Sequence, residues 1–467
     1  MRVLFNELSY WVFFALVMTG YVLLPHKPQN RFLLLASYVF YGFWDWRFLG
    51  LILFSTVVDY FIGLNLYRED NPRRRKLLLW LSVSANLGLL GVFKYFNFFI
   101  ETFSELLTQI GMTANPTTLV IVLPVGISFY TFQTLSYTID IYRRELKPTS
   151  DFLDYALFVA FFPQLVAGPI ERAKNLLPNI IHPRRLSWEN FERGLGLCLI
   201  GLIKKVAIAD AIAPSVDAVF AAPDPTRMDV ILAGWLFAIQ IYCDFSGYTD
   251  IARGSAKALG FNLMRNFAQP YFATNPREFW RRWHISLSSW LRDYLYISLG
   301  GSKNGRFRTH LNLFATMLLG GLWHGAAWHF VLWGAYQGGI LSAHRLLPNW
   351  NFRSFLGLRR LIGIVVFFQI TCIGWLIFRA ESYSHFLDLI GRVFAGDGGT
   401  NIPSPPFPSL VAVIVVFIWD LFSERAGRGH FYAHWSLPIR SVMYACLIYL
   451  LAFGGTAPSN SFIYFQF

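Results

Sequence analysis

Residues 311–341 read LNLFATMLLGGLWHGAAWHFVLWGAYQGGIL, a stretch that contains no Asp, Glu, Lys or Arg. About twenty apolar residues are enough for a helix to cross a lipid bilayer. The stretch therefore predicts a membrane-spanning segment, with the ionisable residue His324 near its middle. Ionisable side chains at membrane depth are energetically costly, so such a residue is by default a hypothesis about function.

The composition of the whole chain also indicates a lipid-embedded protein. Of the 467 residues, 55% are hydrophobic and 14% are charged, whereas about a quarter of the residues in soluble domains are charged. Apolar segments recur along the chain and predict roughly 11–13 transmembrane or re-entrant helices. The candidate segments are 9–24, 31–46, 48–66, 77–99, 117–137, 152–168, 195–213, 229–249, 311–341, 360–379, 409–423 and 439–454.

From this pattern we expect an all-α polytopic membrane protein. It would form a single integral-membrane domain over residues 1–467, with its helices around a central channel and amphipathic helices at the membrane interface. The net charge of +13 would also suit a nucleic-acid-binding protein, but the sequence contains no recognition module. The basic residues instead cluster in loops such as 68–76 and 143–147, which the positive-inside rule assigns together to the cytoplasmic side.

Residues 260–308 are too polar to span a membrane and contain a helix start. In Asn275-Pro276-Arg277-Glu278, the asparagine can cap the helix, proline suits the first helical position, and glutamate can complete a capping box. We predict a helix from there to about Tyr296. Trp280 and His284 would share its buried face, as expected for a helix lying near the membrane interface.

His324 is the first candidate for a catalytic residue. Burial favours the neutral imidazole, which is the form that can accept a proton. Gly321 and Gly325 flank it at a spacing of four, which indicates either a helix-packing face or room for a slim substrate. A core histidine satisfied by a backbone carbonyl is the alternative. For His284, the second candidate, the alternative is an interfacial histidine among aromatic residues.

Other catalytic patterns fit the sequence poorly. His324 and His329 are five residues apart and have no acidic companion, so they do not match a zinc-binding helix and we expect no metal. The segment 300–305, GGSKNG, misses the GxSxG pattern of serine hydrolases by one residue. Asp244, Tyr248 and Asp250 follow an apolar helix. They could line a polar passage, or they could mark a helix end that emerges into water.

Three motifs together resemble the membrane-bound O-acyltransferase family. They are EFWRRWHISLS at 278–288, WLRDY at 290–294 and GLWHG at 321–325. Within the family, the chain is similar to the branch that O-acetylates alginate, with the teichoic acid D-alanyl transfer branch as a relative. The resemblance implies that His324 is catalytic and that His284 is the second signature histidine.

The resemblance also implies the reaction and its partners. An acyl group, acetyl above all, would pass from a cytoplasmic thioester, acetyl-CoA or an acylated carrier protein, to hydroxyls of an exported polysaccharide such as alginate, directly or via a partner. No cofactor would be bound, a periplasmic acetyltransferase would be a partner, and the chain would lie in the bacterial inner membrane. Residues expected to line the channel or substrate are Trp280, Trp323, Gly321, Gly325, Asp244, Tyr248 and Asp250.

Three arginines of the same region are candidates for attracting the acyl donor. Arg277, Arg281 and Arg282 could attract a phosphate-bearing donor, or they could be interfacial arginines whose head groups reach water.

Two rival functions also fit parts of the sequence. D-alanyl or other acyl transfer to a cell-envelope polymer is one rival function. A transporter or flippase is the other, because broken helices and intramembrane histidines also suit a transport path. The chain lacks the two similar halves of many transporters, which favours the enzyme.

Overall fold

The computed structural model of the protein describes residues 4–112, 119, 121–166, 168–347, 357–395, 401–427, 431–454 and 462–463. Within these ranges every regular element is helical, which confirms the predicted all-α class. The chain divides into two compact units. The first unit consists of Met1–Ser187, Leu259–Leu263 and Gly325–Ala327, and the second of Trp188–Ala258, Met264–His324 and Trp328–Phe467.

The described residues of the first unit contain nine α-helices. They are α1 (Leu8–Val22), α2 (His26–Asp45), α3 (Leu49–Arg68), α4 (Pro72–Leu90), α5 (Phe96–Gln109), α6 (Ile127–Tyr142), α7 (Phe152–Ala160), α8 (Phe162–Leu165) and α9 (Ala173–Ile181). A 3-10 turn at Trp46–Phe48 joins α2 to α3, and a π-helical turn at Gly91–Tyr95 joins α4 to α5.

The two basic loops of the first unit meet at one end of its helices. Arg144 forms an ion pair with Asp70 at 2.7 Å, and Arg75 donates a hydrogen bond to the carbonyl oxygen of Tyr142 at 2.7 Å. The prediction that these loops lie on the same side is therefore confirmed.

The second unit contains eleven α-helices in the ranges that the structure describes. They are α10 (Trp188–Leu202), α11 (Ala211–Phe220), α12 (Arg227–Ala258), α13 (Pro276–Arg282), α14 (Ile285–Trp290), α15 (Gly305–His324), α16 (Trp328–Leu346), α17 (Leu358–Arg379), α18 (Tyr383–Ala395), α19 (Phe407–Ala426) and α20 (Leu437–Gly454). Short 3-10 turns lie at Pro270–Phe272 and Phe431–His434, and π-helical turns lie at Ile203–Asp210 and Leu291–Tyr296.

Six helical stretches in the described part of the chain are long and apolar enough to cross a membrane. They are His26–Arg68, Pro72–Gln109, Arg227–Ala258, Leu358–Arg379, Phe407–Ala426 and Leu437–Gly454. Many large apolar side chains on these helices are exposed on the protein surface, for example Val365 at 52% and Ile414 at 59%. Lipid is the solvent that such surfaces suit, and the protein is a multi-pass membrane protein.

Two of the predicted helices are interrupted at or just after a histidine. Residues 311–341 form a helical hairpin rather than one span, because α15 ends at His324 and α16 begins at Trp328. The predicted helix from Pro276 to Tyr296 is also wrong as a continuous element. It breaks at His284, where the backbone adopts a left-handed conformation with φ 42°, so Trp280 and His284 do not share a face of one helix. Both interruptions occur at the histidines that the motifs single out.

Candidate active site

His324 is the last residue of α15 and lies beside the tight hairpin with α16. A Cβ atom added at Gly321 would lie 2.2 Å from the carbonyl oxygen of Phe330 and 2.9 Å from the Cα of Gly334. One added at Gly334 would lie 2.5 Å from the carbonyl oxygen of Met317. Small residues let helix backbones approach this closely. Gly321 is therefore a packing residue that α16 covers, whereas Gly325 opens the turn after His324.

Aromatic rings surround the imidazole of His324, a residue that is only 4% exposed. Its ring centroid is 5.1 Å from that of Trp323, 5.1 Å from that of Trp333 and 5.6 Å from that of Phe378. All three rings meet the imidazole at steep angles, between 76° and 89°. Such close packing holds a side chain in one orientation and excludes water.

His284 connects α13 to α14 and is fully buried at 0% exposure. Its φ and ψ of 42° and 55° are left-handed, a region that costs roughly 1–2 kcal/mol for a residue with a Cβ atom. The amide of Trp283 ends α13 by donating to Phe279, and the carbonyl of His284 starts α14 by accepting from Ser288. Strained backbone that persists in a buried position often marks a functional site.

The fold brings the two histidines together although forty residues separate them in the chain. Their ring centroids are 6.5 Å apart. Trp323 contacts both rings, at 5.9 Å from His284 and 5.1 Å from His324. Phe245 of α12 meets the His284 ring edge-on at 4.6 Å. Burial lowers the pKa of His284 to about 3, so this imidazole is neutral at physiological pH.

The helix start before His284 is built largely as the sequence predicts. Asn275 caps α13 by accepting the amide hydrogen of Glu278 at 2.9 Å, and Pro276 is the first helical residue. The Glu278 carboxylate accepts from the amide of Thr274 at 2.9 Å, one residue earlier than the predicted capping box would have it. The cap is therefore confirmed, and the partner of the glutamate differs by one position.

The three arginines of this helix have different surroundings. Arg282 is half-buried and forms ion pairs with Glu278 at 2.9 Å and with Glu424 of α19 at 2.7 Å. It also donates to the carbonyl oxygen of Ala268 at 3.1 Å. Its charge is thus engaged within the protein, where it ties α13 to α19. Arg277 and Arg281 are exposed and remain accessible to a charged ligand.

Two acidic residues of α12, Asp244 and Asp250, form ion pairs that are buried or partly buried. Asp244 pairs with Lys205 at 2.7 Å, and Lys205 also pairs with Asp210 at 2.7 Å. Asp250 pairs with Lys204 at 2.8 Å. Removing one partner of a buried pair leaves an uncompensated charge and typically costs about 3–5 kcal/mol.

Lys204 and Lys205 are buried charged residues of this region that no sequence motif singles out. They are adjacent in the predicted segment 195–213, and consecutive lysines within an apolar run were the available signal. The π-helical turn Ile203–Asp210 buries both of them, with Lys204 directed to Asp250 and Lys205 to Asp244. π-Helical turns of this kind frequently occur at functional sites.

A small polar cavity lies beside α12 within the second unit. Its volume is about 50 Å³, and Lys204, Tyr242, Asp250 and Asp420 contribute to its wall. Tyr242 donates a hydrogen bond to Asp420 at 2.6 Å. Asp250, one of the residues predicted to line a polar passage, therefore lines this cavity.

Asp244 and Tyr248, the other two acidic or tyrosine residues predicted to line a polar passage, contact the segment Phe462–Ile463. The amide of Ile463 donates to the Asp244 carboxylate at 2.7 Å. The ring centroid of Phe462 is 4.6 Å from that of Tyr248 and 5.4 Å from that of Phe245. Since Phe245 contacts His284, this segment forms the outer layer of the His284 environment.

Further buried polar groups surround the histidines. Trp333 and Trp375 are each 1% exposed, and their indole N–H groups have no hydrogen-bond acceptor among the residues that the structure describes. Trp280 contacts Trp333 at 5.8 Å and has the same unmet donor within the described ranges. Buried donors of this kind are available to an oxygen atom of a bound ligand. No three His, Cys, Asp or Glu side chains of the described residues are grouped closely enough to hold a metal ion.

These features define a class of protein: a polytopic membrane protein with two buried, adjacent imidazoles in an aromatic enclosure. The family model described as MBOAT, membrane-bound O-acyltransferase family, matches residues 142–380, which include both histidines. The chain belongs to the membrane-bound O-acyltransferase family. It is an O-acyltransferase.

Several curated relatives match over most of the chain. A protein of Azotobacter vinelandii named "Probable alginate O-acetylase AlgI" is 44% identical over 82% of this chain and 76% of its own length. The peptidoglycan O-acetyltransferase of Helicobacter pylori is 35% identical over 85% of this chain and 80% of its own length. The teichoic acid D-alanyltransferase of Bacillus subtilis is 26% identical over 56% of this chain and 69% of its own length.

Proposed function

We propose that this protein is an O-acetyltransferase that supplies acetyl groups to the hydroxyls of an exported polysaccharide, with alginate as the leading candidate. The observation that carries the mechanism is the pair of buried imidazoles with ring centroids 6.5 Å apart. The acceptor class is supported by the 44% identity to a probable alginate O-acetylase. A multi-pass protein with this role would lie in the bacterial inner membrane, between the cytoplasmic donor and the exported acceptor.

In this proposal His324 is the general base. Its imidazole nitrogen takes the proton of the acceptor hydroxyl as the hydroxyl oxygen attacks the thioester carbonyl carbon. The C–S bond then breaks, and the imidazolium returns the proton to the leaving thiolate. The products are an ester and a free thiol, so no additional reactant is needed. The rings around His324 would keep water from hydrolysing the thioester and hold the reactants in place.

His284 is assigned a second role beside the base. Because it is buried and neutral, it can accept or donate a hydrogen bond without bringing a charge into the site. It would orient the acceptor or the thioester next to His324. The unmet indole donors of Trp333 and Trp375 are suited to the carbonyl oxygen, which gains negative charge during attack.

The donor is proposed to be a cytoplasmic thioester, either acetyl-CoA or an acetylated carrier protein, with no cofactor held permanently. Arg277 and Arg281 are exposed, which suits the attraction of a phosphate-bearing donor. Arg282 is a poor candidate for that role because Glu278 and Glu424 already neutralise it. A periplasmic acetyltransferase is the proposed partner, to which the acetyl group would pass before it reaches the polymer.

Peptidoglycan is the second candidate acceptor. It is supported by the 35% identity to a peptidoglycan O-acetyltransferase over 85% of the chain. D-alanyl transfer to a cell-envelope polymer ranks below both, because the D-alanyltransferase relative is 26% identical and matches 56% of the chain. A transporter or flippase is excluded as the main function by membership of an acyltransferase family.

Mass spectrometry of cell-envelope polymers tests this function. Exported polysaccharide and peptidoglycan are isolated from cells with the native gene, without it, and with His324→Ala. We expect O-acetyl groups on the exported polysaccharide in the native strain only. Acetyl loss confined to peptidoglycan would move the function to the second candidate, and unchanged acetylation of both polymers would refute acetyl transfer.

A further inference from the structure

The backbone at His284 requires an external restraint. A residue with a Cβ atom rarely stays at φ 42° unless the surrounding structure holds it there. The two amides that follow His284 both donate to a single residue. Ile285 donates to the carbonyl oxygen of Asn266 at 2.9 Å, and Ser286 donates to the Asn266 side-chain oxygen Oδ1 at 3.1 Å.

The loop that carries Asn266 brackets His284 from both sides. Before the histidine, the amide of Ala268 donates to the carbonyl oxygen of Arg282 at 2.9 Å. In return, an Nη1 hydrogen of Arg282 is donated to the carbonyl oxygen of Ala268 at 3.1 Å. After the histidine, Asn266 accepts from Ile285 and Ser286. Residues 266–268 therefore fix the chain on either side of the left-handed residue.

The restraint extends from the backbone to the imidazole. Ser286, whose amide Asn266 holds, has its hydroxyl oxygen 3.5 Å from Nδ1 of His284. Asn266 is itself 0% exposed, so its hydrogen bonds do not compete with water. Its Nδ2 group has no acceptor among the residues that the structure describes. An unmet buried donor is unfavourable, so within the described residues the Asn266 side chain stabilises this turn through the hydrogen bond that Oδ1 accepts.

We propose that Asn266 is a positioning residue that holds His284 in its left-handed conformation and thereby sets the imidazole beside His324. The inference rests on the proposed role of His284 in acyl transfer. It assigns Asn266 no contact with substrate. Displacement of a reacting group by about 1 Å can reduce the rate about 100-fold, so loss of the Oδ1 acceptor is expected to lower kcat strongly.

The test compares three variants with the native enzyme in membranes that retain the proposed periplasmic acetyltransferase partner, using an acetyl thioester and the isolated polymer as substrates. Asn266→Ala removes the Oδ1 acceptor, and Asn266→Asp keeps an oxygen at that place. Asn312→Ala is the matched control. Asn312 is another buried asparagine that bonds a backbone carbonyl, that of Gly301 at 3.0 Å, on α15 away from the His284 turn. The measurements are kcat, KM for the thioester, folded protein in the membrane and melting temperature.

We expect Asn266→Ala to lower kcat by about 100-fold with an unchanged KM for the thioester. Asn266→Asp should recover most of this loss, and Asn312→Ala should keep native kcat per folded molecule. The positioning role is refuted if Asn266→Ala retains native kcat, if Asn266→Asp is as inactive as the alanine variant, or if the two alanine variants lose activity only in proportion to folded protein.

His284→Ala, measured in the same preparation, separates this inference from the proposed function. If His284→Ala is inactive while Asn266→Ala is fully active, the role of Asn266 fails and that of His284 stands. If His284→Ala is fully active, the proposed role of His284 fails, and the positioning role of Asn266 fails with it.

Discussion

His324 and His284 are neighbours that the protein holds in different ways. His324 ends a regular helix, and side-chain packing fixes it: three aromatic rings enclose it, and two glycines bring α15 and α16 into contact. His284 lies between two short helices, and backbone hydrogen bonds fix it in a strained conformation. Packing can be altered at many positions with graded effects, whereas the strained backbone depends on a few specific bonds.

The largest expected effect is that of His324→Ala. If this imidazole is the general base, the variant should have no detectable acetyl transfer, while membrane level and helical content stay native. Acetyl content of the product and circular dichroism of the purified protein measure the two quantities. His310→Ala is the control on the same helix, fourteen residues earlier. Normal acetylation in His324→Ala would contradict the mechanism.

Substitutions of His284 test whether its left-handed backbone conformation lowers the stability of the protein. We expect large activity losses in both His284→Ala and His284→Gly. The glycine variant should unfold at a higher temperature than the alanine variant, because glycine adopts positive φ without steric cost. Thermal unfolding in detergent measures the difference. Equal stability of the two variants would mean that the left-handed conformation relaxes when the imidazole is removed.

Gly321→Ala tests the packing that supports His324. The new methyl group would lie 2.2 Å from the Phe330 carbonyl oxygen, so α15 and α16 must separate, at a cost of about 1–3 kcal/mol. We expect less folded protein and lower activity per folded molecule, measured by membrane yield and thioester turnover. Gly339→Ala is the matched control on α16, since no atom lies within 4 Å of the place that its new Cβ would take. Equal behaviour of the two variants would show that the close approach of the helices is dispensable.

The smallest effects are expected at two adjacent arginines. Arg281→Gln should raise KM for the thioester by no more than about fivefold, as for other exposed charges, and the increase should shrink at high salt. Arg282→Gln should instead lower the melting temperature, because Glu278 and Glu424 lose the nearer of the two arginines that they share. Thioester kinetics at two salt concentrations and thermal unfolding distinguish the two variants. A salt-dependent KM change in Arg282→Gln alone would reverse the assignment.

The sequence predicts the helical membrane fold and the two histidines, because hydropathy and short motifs are local signals. The Asn275 cap is predictable for the same reason. The break at His284 is not, since no glycine marks the positive φ and the restraining residue, Asn266, lies eighteen positions earlier. The turn after His324 is not predictable from hydropathy, because apolar residues continue through it. The lysine–aspartate pairs require knowledge of how α12 packs against the π-helical turn.

The contact between Ile463 and Asp244 has a practical consequence for protein engineering. Phe462 is 0% exposed and Ile463 is 5% exposed, so these two residues are part of the interior. A shortened version that stops after α20 would remove a hydrogen bond from a buried carboxylate and a ring from the layer behind His284. Affinity tags and fusion partners are therefore better attached without trimming this segment.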